Sequence, residues 1–467
     1  MITIVGHKFH HRRTQSAVTT KTTVYDDLGE IAGLFESGIP AKKNAHYKVV
    51  LSYSNHSTRE GSIETSDNIR DGSSEKPFLI VDFETVSGYA PIDLSDFTLD
   101  MLNGNTAYTT KEMLDKNFRL YENINMSKQG NWTPVAVDFV EDSYSTPYFS
   151  GIFDGNNKII KGLTVNDAIY AGLFGAIIGG TIKNLGMEDV NITGTGYAGG
   201  IVARETSIKD FLENMNSRIE NCYVTGNVSG EYAVGGILGA SNDRITIENC
   251  YFSGNIIGDH SVGGIVGNNN GGTIESCYFS GTISGVNTIG GIAGNGGIVK
   301  NCYTTGNING IENQIGGIMG QGSGTIQNCY STADVSGDYE VGGIVGRGDG
   351  SGTTIEHCYA LNGSITVTNF GVGRIIGSNG NTTYNYALET MLVNGSTVPG
   401  GNNNSNDGEN ISKEDAIDSI LNHYESNTWD FSNIWVFDYT GYDVGTEANL
   451  PILKTVSGRQ NPYITAP

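Results

Sequence analysis

Proline is scarce in this chain, with 9 residues in 467, and charged side chains make up only 16% of it. Basic residues are outnumbered, 27 against 50, giving a net charge of −23. A surface of that sign repels phosphates, which excludes a nucleic-acid partner. No apolar run approaches the ~18 residues that a membrane-spanning helix needs. No His-Glu-x-x-His, Ser/His/Asp set, phosphate-binding loop or dinucleotide fingerprint is present. The start, MITIVGHKFHHRR, places its basic residues after a short mixed segment, whereas a secretion signal has an apolar core after the charge. The expectation is either a mature chain or one that leaves its maker without such a signal.

What the chain has in excess is glycine, 66 residues, about twice the usual ~7% share. The glycines keep time. Aligned on the second residue of a Gly-Gly pair, they fall at Gly200, Gly236, Gly264, Gly291, Gly317 and Gly343, spaced 36, 28, 27, 26 and 26. Worn copies flank them at 170–175 and 372–377. In the latter Arg374 replaces the second glycine, which marks an expected terminal coil. The one long spacing holds an insertion, residues 204–217, read as a projecting loop or short helix. All six cysteines share the rhythm: Cys222, Cys250, Cys277, Cys302, Cys329 and Cys358, each followed by tyrosine at Tyr223, Tyr251, Tyr278, Tyr303, Tyr330 and Tyr359.

A period of 26 to 28 residues is too short for two helices and a turn. Within it Ile and Val recur in short alternating pieces bounded by Gly, Asn, Ser and Asp, the pattern of strands between turns. Such a unit cannot bury its own apolar face, but a stack of identical units buries a continuous core. The expected fold is therefore all-β: a right-handed parallel β-helix of about eight coils over residues 115–390, a rod of roughly 40 Å at one rung per ~4.8 Å. Residues 1–114 form a β-rich N-terminal region and cap, with strands at 24–25, 47–51 and 78–83 and a short helix at 26–35. Residues 391–467 supply a loop, a helix capped by Ser412, and an aromatic-rich mixed α/β cap that seals the open end.

The in-register cysteines lack the close pairing of metal ligands. They are either a buried ladder of free thiols or bridges between rungs, the latter strained because parallel Cβ vectors point the same way. The tyrosines alternate to the other face, as an exposed or half-exposed ladder that either covers the sheet or binds a sugar ring or partner. Asn221, Asn249, Asn301 and Asn328 precede the cysteines and are expected to satisfy turn backbone groups. Glu220, Glu248, Glu275 and Glu356 share a phase, interrupted by Lys300 and Gln327. Such a column could hold a cation such as Ca2+, but no calcium motif supports it, and solvated glutamates are the commoner case. His7, His10 and His11, with Arg12 and Arg13, could bind a metal or an acidic surface, but a mobile terminus is the commoner case.

At this point the residues resemble a known family. The motif Gly-Gly-Ile-Val-Gly at 263–267, with Thr-Ile-x-x-Cys-Tyr at 273–278, is similar to the GLUG repeat of bacterial surface and adhesin-like proteins. The repeat also precedes the catalytic domain of immunoglobulin A1 metalloproteases. Phe118-Arg119-Leu120, Asn131-Trp132-Thr133-Pro134 and Phe153-Asp154-Gly155-Asn156 resemble the usual lead-in. The resemblance covers about 115–390 and speaks for fold; the protease signature is missing. It implies a non-enzymatic, extracellular or cell-surface scaffold, adhesin-like, binding a glycan or a protein, without a cofactor. The alternatives are a subunit of an assembled particle, such as a tail spike on a virion, an appendage or a fibre made of copies of itself, and a carbohydrate-active β-helix enzyme.

Overall fold

The computed structural model describes residues 123–136, 147–206, 216–242, 245–422, 429–437 and 450–456, with a few neighbouring positions and short strands within the first 120 residues. Two compact units result: residues 1–104 with 116–122, and residues 105–115 with 123–467. In the first, Thr3–Ile4, His46–Ser52 and Thr58–Glu64 form an antiparallel sheet, and Ala90–Ile92 pairs in parallel with Phe118–Leu120. Ile31–Gly33 pairs with Leu79–Val81. The helix expected at 26–35 is thus corrected at its centre: Ile-Ala-Gly lies in a strand, where pairing outweighs the weak helical pattern. The histidine cluster and residues 24–25 lie outside the described residues, as do 207–215 of the insertion.

The second unit is a parallel β-solenoid of about nine turns, one more than the repeat count suggests. The turn from Ile245 to Asn269 represents the rest. A short strand, Ile245–Glu248, ends in a corner at Asn249; a long strand, Tyr251–Gly263, follows; the glycine pair turns the chain into Val266–Asn269. Each residue sits over its counterpart in the turns before and after. Val165, Ile192, Val228, Ile256, Ile283, Ile308, Val335 and Ile365 make one interior column. Ile182, Ile219, Ile247, Ile274, Val299, Ile326 and Ile355 make another. All of them are buried. The first turn is anchored by Trp132, whose indole donates to the Leu173 carbonyl at 3.1 Å.

The glycine pair is required by space. The backbone at the six second glycines is outside the left-handed region. A Cβ at Gly264 would instead overlap the Gly291 carbonyl oxygen and the Phe279 side chain, and Gly236, Gly291 and Gly317 meet the next turn in the same way. At Arg374 the rule ends. Its side chain enters the interior, fully buried, and donates to the carbonyls of Leu388 and Gly408 at 3.3 and 3.4 Å. It does not mark the last coil, however. Tyr386–Leu388 continues the stack and pairs with Glu409–Ile411. An antiparallel hairpin, Leu392–Val393 with Ser396–Thr397, adds a further, non-parallel pairing beyond Ile365.

The asparagine column has a backbone cause. Asn184, Asn221, Asn249, Ser276, Asn301, Asn328 and His357 all have φ between 52° and 54°. A side chain with a Cβ resists that left-handed conformation, and asparagine resists it least.

From Asn221 to His357 the next residue is a cysteine, and all six are buried and free. The thiol works at both ends: Cys250 Sγ accepts the Cys222 amide at 3.4 Å and donates toward the Ile219 carbonyl at 3.7 Å. After Cys358 the column continues with Asn385, whose Oδ1 takes the Cys358 amide and whose Nδ2 donates to the Ile355 carbonyl. The position therefore calls for a small buried group with one donor and one acceptor. Burial pushes the thiols of Cys222, Cys250, Cys302 and Cys358 well above the ordinary range; at Cys277 and Cys329 burial acts the same way, but hydrogen bonds from the neighbouring thiols outweigh it and pull both below that range.

Gly264→Ala should lower stability by about 1–3 kcal/mol or more, as overpacking does, measured as a fall in urea midpoint; an unchanged midpoint would show that the corner can relax. In the native protein no thiol should react with a chromogenic disulfide reagent, and all six should react once urea unfolds the chain.

Candidate binding surfaces

The tyrosines that precede the polar part of each long strand do form a ladder. Ring centroids are 5.0 Å apart for Tyr223 and Tyr251, 4.7 Å for Tyr251 and Tyr278, and 5.0 Å for Tyr278–Tyr303 and Tyr303–Tyr330, all nearly parallel. Their expected exposure is corrected. Accessibility falls from 8% at Tyr251 to 2% at Tyr278 and 0% at Tyr330 and Tyr359; Tyr223, at the edge, is half-buried.

What covers them is the C-terminal segment, which runs along the flank of the solenoid rather than only plugging its end. Lys413–Asn422 is a helix, capped by Ser412, whose Oγ takes the Asp415 amide at 3.0 Å while the Asp415 carboxylate accepts the Ser412 hydroxyl. The Tyr359 hydroxyl lies 2.8 Å from Ser419 Oγ. Tyr330 donates to the Pro451 carbonyl at 2.7 Å, and Tyr303 to Gln460 Oε1 at 2.9 Å. Trp435 packs 5.9 Å from the Tyr330 ring, and Trp429 sits 4.9 Å from Trp435. Thr455 reaches Asn249 four turns before the Tyr359 rung. This strap matches the ladder because both are amphipathic: rings pack on rings while the hydroxyls of Tyr303, Tyr330 and Tyr359 find partners. Tyr251, Tyr278, Tyr303, Tyr330 and Tyr359 are therefore structural in this arrangement and not an open binding face.

The face that stays open lies four residues further along each strand. Asn191, Asn227, Asn255, Thr282, Asn307, Asp334 and Ser364 stack in register. Two residues on, Thr193, Ser229, Ile257, Ser284, Asn309, Ser336 and Thr366 make a parallel column. The side chains bond along the stack: Asn255 Nδ2 donates to Asn227 Oδ1 at 3.0 Å, and Ser229 Oγ to Thr193 Oγ1 at 3.2 Å. On a chain of charge −23 this surface carries one acid, Asp334. Sequence reading missed it. The signal was a short polar residue, then Ile or Val, after every Cys-Tyr: Asn227-Val228, Asn255-Ile256, Thr282-Ile283, Asn307-Ile308, Asp334-Val335 and Ser364-Ile365, with a second polar residue next in all but the Asn255 copy.

The glutamates that share a phase are in register as well, in the column Lys183, Glu220, Glu248, Glu275, Lys300, Gln327, Glu356. Arg218 bridges Glu220 and Glu248, so the column is internally neutralised at that end. Among the described residues no group of three or more His, Cys, Asp or Glu stands close enough to hold a metal ion.

Burial pushes the Tyr251 hydroxyl up to about 12, and raises Tyr278 and Tyr359 further. In the unfolded chain the group ionises near ~10. The buried hydroxyls thus contribute fully below about pH 10, and that contribution is lost as pH rises through the folded values. Urea resistance should decline above about pH 10, with tyrosinate absorbance rising together with unfolding. Ionisation of all tyrosines near 10 in a still-folded protein would contradict the buried ladder.

Comparison with known proteins adds the following. Residues 230–257 and 258–284 match the family model described as the GLUG motif. A crystal structure titled a putative immunoglobulin A1 protease from Bacteroides ovatus is 24% identical, with a TM-score of 0.40, over 73% of this chain and 87% of that one. A structure titled IgA1 Protease is 14% identical, with a TM-score of 0.37, over 84% of this chain. The present chain spans 25% of that protein's length. No curated protein matches the chain. The Gly-Gly corners, the αL residues Asn249 and Ser276 and the thiols Cys250 and Cys277 are thus parts of two GLUG repeats, set in a parallel β-solenoid whose other turns follow the same plan.

Proposed function

We propose that this protein is a non-enzymatic, extracellular or cell-surface scaffold, adhesin-like in use, that offers a repeated polar face to a glycan or protein partner. The observation that supports this is the uncovered, nearly uncharged pair of columns running from Thr193 and Asn191 to Ser364 and Thr366, opposite in fate to the strapped tyrosines. A flat array repeating every ~4.8 Å suits a partner that is itself extended, since weak contacts at each rung add by multivalency. The assembly reading would need sheet edges free at the ends of the stack. The antiparallel hairpin at 392–397 works against that at the C-terminal end.

The test combines light scattering with binding to an immobilised glycan array and to mucin, fibronectin and collagen. We expect a monomer, and a bound target whose affinity falls at least tenfold in Asn227→Asp/Asn255→Asp/Asn307→Asp, which adds three like charges to the face without touching the core. Trimers or fibres in solution would overturn the reading in favour of an assembled particle. Turnover of a bound glycan would overturn it in favour of an enzyme.

A further inference from the structure

A second outward column runs parallel to the polar face, just before the glycine corner. His260 is in register with Asn287, Asn313 with Tyr339, and Tyr339 with Phe370. Asn313 Nδ2 donates to Asn287 Oδ1 at 3.3 Å, which joins the two pairs. Tyr232 stands two residues before Val234 as His260 stands two before Val262, and Val234 and Val262 are partners, so Tyr232 begins the series. Its composition is unusual for a solvent-facing column: aromatic at both ends, imidazole and amides between.

The two end rings are open. Tyr232 is 58% exposed and Phe370 68%. Each is held by a neighbour that leaves much of the ring uncovered. Tyr197 lies 6.2 Å from Tyr232, tilted by 33°, and is itself fixed by the Arg204 guanidinium 4.5 Å from its centroid. Tyr339 meets Phe370 edge-on at 4.8 Å. This differs from the strapped ladder, where the rings from Tyr251 to Tyr359 are buried.

We infer that Tyr232, His260, Asn287, Asn313, Tyr339 and Phe370 form a track for a neutral, linear oligosaccharide lying along the solenoid axis. This rests on the scaffold reading and adds the site and the ligand class. The apolar faces of sugar rings stack on the terminal aromatics, which supply rigid amphipathic area. Hydroxyls between them exchange hydrogen bonds with the amides and the imidazole, which offer donors and acceptors alike. Six rungs span about 24 Å at ~4.8 Å each, which suits a chain of several sugars rather than a monosaccharide. Asp259, Glu312, Asp338 and Glu340 adjoin the track in sequence, and their charge disfavours an acidic glycan.

The experiment uses the full chain with cellohexaose, xylohexaose, mannohexaose and chitohexaose, and the matching trisaccharides, by titration calorimetry. We expect at least one hexaose to bind, its trisaccharide to bind at least tenfold more weakly, and Tyr232→Ala and Phe370→Ala each to weaken the hexaose at least tenfold. Both side chains are exposed, so the variants should fold, which circular dichroism checks. Binding that survives both truncations but fails in the Asn227/Asn255/Asn307 charge variant overturns the track and leaves the scaffold reading standing. Equal affinity for trisaccharide and hexaose overturns the two-ended track. No binding of any of the four hexaoses overturns it outright, while the scaffold reading is then judged on its protein targets.

Discussion

The close approach of successive turns at the glycine corner is the constraint on which the rest depends. There the backbone of one turn occupies the volume a Cβ of its neighbour would need, so the turns can meet in one register only. Once that register is set, a residue at any phase of the repeat stands over its own counterpart. The aliphatic columns, the thiol column, the αL asparagines and both polar ladders follow from it. A slip by one residue would turn every interior Ile and Val outward, so corner and core enforce the same alignment.

Inside the solenoid, chemistry changes along the axis while geometry does not. The Phe252–Phe279 stack, with centroids 6.2 Å apart, gives way at the same column to Thr304 and Ser331, which bond to each other at 3.0 Å and to the Gly317 carbonyl through Thr304. Asn362 then donates to Ser331 and to the Ala333 carbonyl. The interior thus becomes polar toward the C-terminal turns, where Arg374 is also buried. The replacement of Cys by Asn at 385 belongs to the same trend: backbone groups keep their partners while the side-chain type shifts.

Most of the solenoid was legible because it is periodic. Gly-Gly, Asn-Cys-Tyr and the alternating Ile and Val each recur, so a single misjudged position is outvoted by its copies. The cover on the tyrosines was not legible, because the strap occurs once and its bonds reach rungs 60 to 206 residues away. Trp429, Trp435 and Pro451-Ile452-Leu453 signalled that something apolar needed covering. The same composition would serve an end plug or a lateral brace, and only the contacts to Tyr303 and Tyr330 decide between them. Ile31–Gly33 was misread for the opposite reason: a three-residue strand carries too little pattern to oppose a nearby acidic start.

The strap has a consequence in time. A ribosome delivers the solenoid turn by turn, and each new turn can stack on the last as soon as it emerges. The covering residues, from Ser419 to Gln460, are made only after every rung they seal. Until then the growing rod carries a bare column of tyrosines along one side. Its early turns are complete as a stack but unfinished as a surface, and the last part of the chain closes all of them together.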